Sequence, residues 1–131
     1  MVRLEMPLIT IVDDDESVRE AVGGLLKALG FDTEAFASAE DFLRSGHAEN
    51  TTCVVTDVQM RVMSGLELQA RVAGDGHGIP FIFITAFPND QIRARALKGG
   101  AVCFLTKPFS EAELVAGIRS ALARRPPQCA R

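Results

Sequence analysis

The sequence has few cysteines, no long apolar run and no excess of basic residues. A transmembrane helix needs about 18 or more consecutive apolar residues, and the N-terminal segment MVRLEMP is too short and too polar for a signal peptide. We therefore expect a cytoplasmic protein without membrane association. Because three cysteines do not suit a disulfide framework, we interpret Cys53 and Cys103 as small buried apolar residues, while Cys129 lies in the tail.

The charge balance excludes another class of protein. Lysine and arginine number 14 against 17 aspartates and glutamates, which gives a formal net charge of −3. Nonspecific nucleic-acid binding needs a broad basic surface, so we expect no direct contact between this domain and nucleic acid.

The overall amino-acid composition is typical of one globular domain. The chain has 131 residues, of which 47% are hydrophobic and 24% charged, and a chain of this size buries roughly two-thirds of its surface on folding. Pro126 and Pro127 cannot continue a helix. The sequence therefore predicts one domain over residues 1–124, and a tail or the start of a linker over 125–131.

The apolar pattern alternates between short β-rich runs and stretches with helical periodicity. The predicted strands cover residues 8–12, 33–37, 53–56, 81–85 and 102–105. The first helix has apolar residues at every expected position and Gly30 at its end. Ser38, Ser64 and Ser110 each precede an acidic residue by three positions, which is typical of a helix start, and Asn89 can cap the remaining helix.

The strands predict the fold class. Four of the five runs are apolar throughout rather than alternating, as expected for strands covered by helices on both faces. Such strands form a parallel sheet, and right-handed crossovers place helices on its two sides. We therefore expect a doubly wound α/β fold.

Polar residues follow four of the predicted strands, and ligands bind at the carboxyl ends of such sheets. These residues are Asp13, Asp14, Asp15, Asp57, Thr85, Thr106 and Lys107. Taken singly, each has an ordinary structural explanation; the acidic run, for example, also favours the N-terminus of a helix. Together, crowded carboxylates require a cation, for which Mg²⁺ suits oxygen ligands, and the lysine suits a phosphoryl oxygen. The combination predicts phosphoryl transfer to an aspartate.

Four segments carry a family resemblance. In order and spacing, IVDDDESVR, VVTDVQMRVMSGLEL, IPFIFITA and GGAVCFLTKPF resemble the receiver (CheY-like) domain of two-component response regulators. The segments GF, SAEDFL, VTD, MSGLEL and GAVCFLTKPF are most similar to the nitrogen-fixation (FixJ-type) branch of that family. The resemblance extends over about residues 8–123. It implies a flavodoxin-like fold, with a five-stranded parallel sheet in the order 2-1-3-4-5 and helices on both faces.

The resemblance also implies roles for individual residues. Asp57 would be the phosphoacceptor. Asp13, Asp14, Asp57 and the backbone carbonyl of Gln59 would hold Mg²⁺, with Mn²⁺ as a substitute. Thr85 would bond to one phosphoryl oxygen.

Three further positions match the family near the end of the sheet. Lys107 would pair with a second phosphoryl oxygen, and the Lys107–Pro108 peptide would be cis. Phe104 matches the aromatic residue that switches together with Thr85.

The implied partners follow from the family. A sensor histidine kinase would donate the phosphoryl group, and phosphorylation would change the surface of strand five and its flanking helices, where we expect a homodimer or an output-domain contact. FixJ-type members usually carry a C-terminal helix-turn-helix, although a stand-alone receiver is an alternative. Such a domain contributes to its own phosphorylation and dephosphorylation but is not an enzyme with a separate substrate.

The sequence departs from the family pattern at two positions. Arg61 stands where the family usually has proline, and Phe87 places a large ring beside the site.

Two other functions are alternatives. A haloacid-dehalogenase-like phosphatase would need a second acid where Gln59 stands. A flavodoxin-like FMN-binding protein would need a phosphate loop after strand one, where the sequence DDDE would repel phosphate.

Overall fold

Strands and helices alternate along the whole described chain, which in this computed structural model comprises residues 7–123. The strands are β1 (Leu8–Val12), β2 (Asp32–Phe36), β3 (Cys53–Asp57), β4 (Phe81–Thr85) and β5 (Cys103–Thr106). The helices are α1 (Glu16–Ala28), α2 (Ala39–Ser45), α3 (Gly65–Gly74), α4 (Asp90–Lys98) and α5 (Glu111–Ala123), with a 3₁₀ turn at His47–Asn50. All strand pairs are parallel, in the order β2-β1-β3-β4-β5. The predicted fold class and strand order are confirmed.

The helix starts follow the sequence signals. The hydroxyl oxygens of Ser38, Ser64 and Ser110 accept hydrogen bonds from the main chain three residues later, and Asn89 caps α4. Asp15 caps α1 by accepting a bond from the Ser17 N–H at 2.9 Å. Asp15, one residue of the acidic run after β1, therefore has a structural role at the N-terminus of α1, as the ordinary explanation of that run predicts.

Two hydrophobic layers enclose the sheet. The layer beneath α1 and α5 includes Ile11, Leu26 and Ile118, and the layer beneath α2, α3 and α4 includes Phe42 and Leu68. These layers bury β3 and β4 completely, as their apolar sequences predict. The polar residues predicted for the functional site consequently lie at the ends of the strands.

The edge strand β5 corrects one expectation. Its apolar sequence predicted complete coverage, but Cys103 and Phe104 are half-buried and Thr106 is exposed. The reason is position in the sheet, because β5 pairs with β4 alone. Strand boundaries also shift by one residue: β2 begins and ends one residue earlier than predicted, β5 one residue later, and β3 includes Asp57.

The cysteines behave mainly as apolar residues. Cys53 is fully buried, and burial raises the pKa of its thiol to about 12. Cys103 is half-buried with a raised thiol pKa, again chiefly through burial. Cys129 and the predicted tail lie outside the described residues. Within residues 7–123, the helices are too short or too polar to span a bilayer.

Candidate functional site

Four polar residues meet at the carboxyl edge of the sheet because neighbouring parallel strands end there. Asp57 and Thr85 are the last residues of β3 and β4, while Asp13 and Lys107 directly follow β1 and β5. The Lys107 Nζ lies 3.1 Å from the Asp57 Oδ2 and 3.6 Å from the Asp13 Oδ2. The structure thus brings the residues predicted from three separate strand ends into direct contact.

The acidic side chains form one cluster. Asp13, Asp14 and Asp57 each present a carboxylate oxygen, and these oxygens lie within 4.8 Å of one another. Asp13 is 1% exposed, and its Oδ2 accepts no hydrogen bond from residues 7–123. Burial raises the pKa of Asp13, helped by the negative charges of Asp57 and Asp14. A buried carboxylate oxygen that accepts no hydrogen bond within the described residues, beside two other carboxylates, fits a divalent cation with oxygen ligands.

Lys107 supplies positive charge to this cluster. Burial favours the neutral amine, but the contacts with Asp57 and Asp13 outweigh burial, and the net effect raises the pKa of Lys107. The side chain therefore remains an ammonium group that offsets part of the negative charge.

The main chain fixes the Asp57 carboxylate from the other side. The Gln59 N–H donates to the Asp57 Oδ1 at 3.0 Å, while Lys107 donates to the Oδ2 at 3.1 Å.

Helix α3 begins against the same end of β3, where the Gly65 N–H donates to the Val58 carbonyl at 2.9 Å. A Cβ on Gly65 would collide with the Asp57 main-chain oxygen. Glycine at this position therefore allows α3 to approach the site closely.

The Thr85 hydroxyl is held by two neighbours. It donates to the Gln59 Oε1 at 2.5 Å and accepts from the Phe87 N–H at 3.0 Å. The family resemblance implied a role only for the backbone carbonyl of Gln59. The side-chain contact depends on β3 and β4 being neighbours, and the sequence pattern carries no direct signal for it.

A second missed residue supports the acidic loop. The Arg19 guanidinium on α1 donates to the main-chain oxygen of Asp13 at 2.8 Å. The Asp13 Oδ1 accepts from the Asp15 N–H at 2.9 Å. Helix α1 thereby fixes the loop that carries Asp13 and Asp14.

The remaining predicted positions lie around this centre. Phe104 is half-buried and pairs in register with Phe83 on β4. The Lys107–Pro108 peptide is cis. Phe87 is 71% exposed, so its ring packs little against α4.

The loop with Arg61 adopts a constrained turn in place of the usual proline. Arg61 is exposed, and its carbonyl accepts a bond from the Met63 N–H at 2.8 Å. Val62 between them has a φ of +69°, which is unusual for a β-branched residue. The loop therefore contains a tight γ-turn centred on Val62.

Comparison with known proteins identifies the family. Residues 9–119 match the family model described as the response regulator receiver domain. The chain belongs to this family. The receiver is 41% identical over 121 residues to the response regulator protein TodT of Pseudomonas putida, covering 92% of this chain and 53% of TodT. It is 36% identical over 116 residues to the transcriptional regulatory protein FixJ of Azorhizobium caulinodans, covering 88% of this chain and 55% of FixJ.

Solved structures show the same fold. FixJ-N has a TM-score of 0.84 at 32% identity, with 95% of this chain and 99% of that chain covered. The response regulator StyR has a TM-score of 0.84 at 42% identity, with 91% of this chain and 60% of that chain covered. The resemblance to response regulator receivers is confirmed, with FixJ among the relatives and TodT at higher identity. The receiver spans about half the length of the curated relatives it matches.

Proposed function

We propose that this receiver accepts a phosphoryl group on Asp57 and uses it as a two-component signal. The observation that carries the proposal is the position of the Asp57 carboxylate, which lies between the Gln59 N–H and the Lys107 ammonium at the edge of an acidic cluster. A carboxylate held by fixed donors is oriented as a nucleophile, and the ammonium can neutralise charge on a transferred phosphoryl group.

The cluster around Asp57 suits Mg²⁺, with Mn²⁺ as a substitute. Asp13, Asp14, Asp57 and the backbone carbonyl of Gln59 would hold the ion. When bound, the metal neutralises phosphoryl oxygens and orients the donor for in-line attack. In the protein itself, Lys107 pairs with a second phosphoryl oxygen and Thr85 donates its hydroxyl hydrogen to a third.

The proposed phosphodonor is a phosphohistidine of a cognate sensor kinase, in the cytoplasm, where a nucleotide-dependent kinase would act. We place the receiver domain at residues 1–124 and a linker or tail at 125–131. Relatives such as FixJ and TdiR of Thauera aromatica are transcriptional regulatory proteins about twice as long as their matched part. The whole protein would accordingly control a DNA-binding output domain, while the acidic receiver does not itself bind nucleic acid.

Phosphorylation would act on the surface of β5 and its flanking helices. When Thr85 moves toward the phosphoryl group, it vacates space for Phe104. Phe104 is half-buried on β5, which pairs with β4, the strand that ends in Thr85. This movement biases a two-state equilibrium. We expect beryllofluoride with Mg²⁺ to increase self-association, measured by sedimentation across a range of concentrations. Identical sedimentation with and without beryllofluoride would contradict dimerisation as the output.

Stoichiometry tests the function against the phosphatase alternative. With acetyl phosphate and Mg²⁺, we expect intact mass spectrometry to show one phosphoryl group per chain. We expect no multiple turnover of a generic phosphate monoester, because Gln59 occupies the position where a phosphatase needs a second acid. Rapid turnover without a phosphorylated chain would favour the phosphatase, and flavin absorbance on the purified protein would favour the FMN-binding alternative.

A further inference from the structure

The Thr85 hydroxyl already donates its hydrogen to another residue of the receiver in the absence of a phosphoryl group. Thr85 is fully buried, and its hydroxyl donates to the Gln59 Oε1 and accepts from the Phe87 N–H. A hydroxyl has one hydrogen to donate. That hydrogen is used by the side chain of Gln59.

A phosphoryl oxygen would require the same hydrogen. Ionised phosphoryl oxygens are hydrogen-bond acceptors, so Thr85 must be the donor in any such contact. The bond from Thr85 to Gln59 must then break or weaken. The two contacts therefore compete for one donor.

Gln59 also contacts the Asp57 carboxylate. Its main-chain N–H donates to the Asp57 Oδ1, while its side chain accepts from Thr85. One exposed loop residue thus connects the last residues of two neighbouring strands. The main-chain and side-chain contacts are chemically separate, so a substitution can remove one and keep the other.

We propose that the Gln59 side chain restrains Thr85 in the unphosphorylated receiver and opposes its recruitment to the phosphoryl group. The proposal rests on the proposed function, since it assumes that the phosphoryl group is attached to Asp57. Gln59 is in this respect a positioning residue that acts through Thr85. Breaking the bond between the Gln59 amide and the Thr85 hydroxyl costs free energy, and this cost reduces the net free energy of binding a phosphoryl group.

Replacing Gln59 with methionine isolates this effect. Methionine has a similar length, retains the main-chain N–H and carbonyl, and lacks the amide oxygen. We expect Gln59→Met to bind beryllofluoride, at saturating Mg²⁺, about threefold to tenfold more tightly, which is the effect of losing one competing hydrogen bond. Calorimetry suits the measurement because the chain has no tryptophan or tyrosine. Gln91→Met, an exposed glutamine on α4, is the matched control and should leave the affinity unchanged.

A double-mutant cycle with Thr85→Val decides the mechanism. If Gln59 acts through the hydroxyl, Gln59→Met will increase the affinity in the wild-type background and have no effect in the Thr85→Val background. An equal gain in both backgrounds, or no gain in either, would overturn the proposal. Failure of the wild-type receiver to bind beryllofluoride would instead contradict the proposed phosphorylation of Asp57. Thermal unfolding of each variant checks that the fold is retained.

Discussion

Removal of divalent metal is expected to slow phosphorylation of the receiver by acetyl phosphate at least about 100-fold, the effect of losing one strong electrostatic stabiliser from a reacting site. Asp13, Asp14 and Asp57 present their carboxylates within 4.8 Å of one another, and the donor is itself anionic. The ammonium of Lys107 offsets only part of that charge. Without a cation, repulsion keeps the donor away from the carboxylate.

Intact mass spectrometry measures this effect directly. We expect a phosphorylated species with Mg²⁺, its loss with EDTA, and its return when excess Mg²⁺ is added. Asp13→Asn should require a higher Mg²⁺ concentration, because it weakens one proposed ligand, while Asp75→Asn at the end of α3 should behave as wild type. Equal labelling with Mg²⁺ and with EDTA would contradict the metal assignment.

The largest expected loss of stability comes from adding one methyl group at Gly65. The new Cβ would collide with the main-chain oxygen of Asp57 and lie 3.1 Å from the Phe83 Cε1. Main chain cannot rotate away as a flexible side chain can, so α3 or the end of β3 must move. We expect Gly65→Ala to lower the free energy of unfolding by about 1–3 kcal/mol, and Tm by roughly 3–10 °C.

The opposite end of the same helix provides the control. Gly74 is the last residue of α3, and a Cβ there would have no neighbour within 4 Å. Gly74→Ala should leave Tm unchanged or slightly raised, because alanine lowers the entropy of the unfolded chain. Equal effects of the two substitutions in thermal unfolding would show that the close approach of α3 to Asp57 is not what requires glycine at position 65.

The location of the site was predictable because it depends on strand ends. Asp13, Asp57, Thr85 and Lys107 follow or complete apolar runs that are visible in the sequence, and parallel strands bring such ends to one edge. The local helix starts were equally predictable, since serine or asparagine with its main-chain partners forms a short-range motif. The fold class and the chemical groups of the site therefore follow from local patterns, whereas the strand order was implied by the family resemblance.

Other features depend on three-dimensional neighbours. The bond between Thr85 and Gln59 joins residues 26 positions apart and requires both the β3–β4 pairing and a particular side-chain rotamer. The half-burial of Phe104 depends on β5 being an edge strand, which its apolar sequence does not reveal. The collision at Gly65 likewise depends on how closely α3 approaches Asp57. Apolar periodicity predicts which elements form but not these distances.

Chemical localisation of the phosphoryl group tests the central claim most directly. Borohydride reduces an aspartyl phosphate to homoserine, which peptide mass spectrometry can assign to one position. After treatment with acetyl phosphate and Mg²⁺, we predict homoserine at position 57, and none in Asp57→Asn. Homoserine at position 13 or 14, or undiminished phosphorylation of Asp57→Asn, would contradict the assignment of Asp57 as the phosphoacceptor.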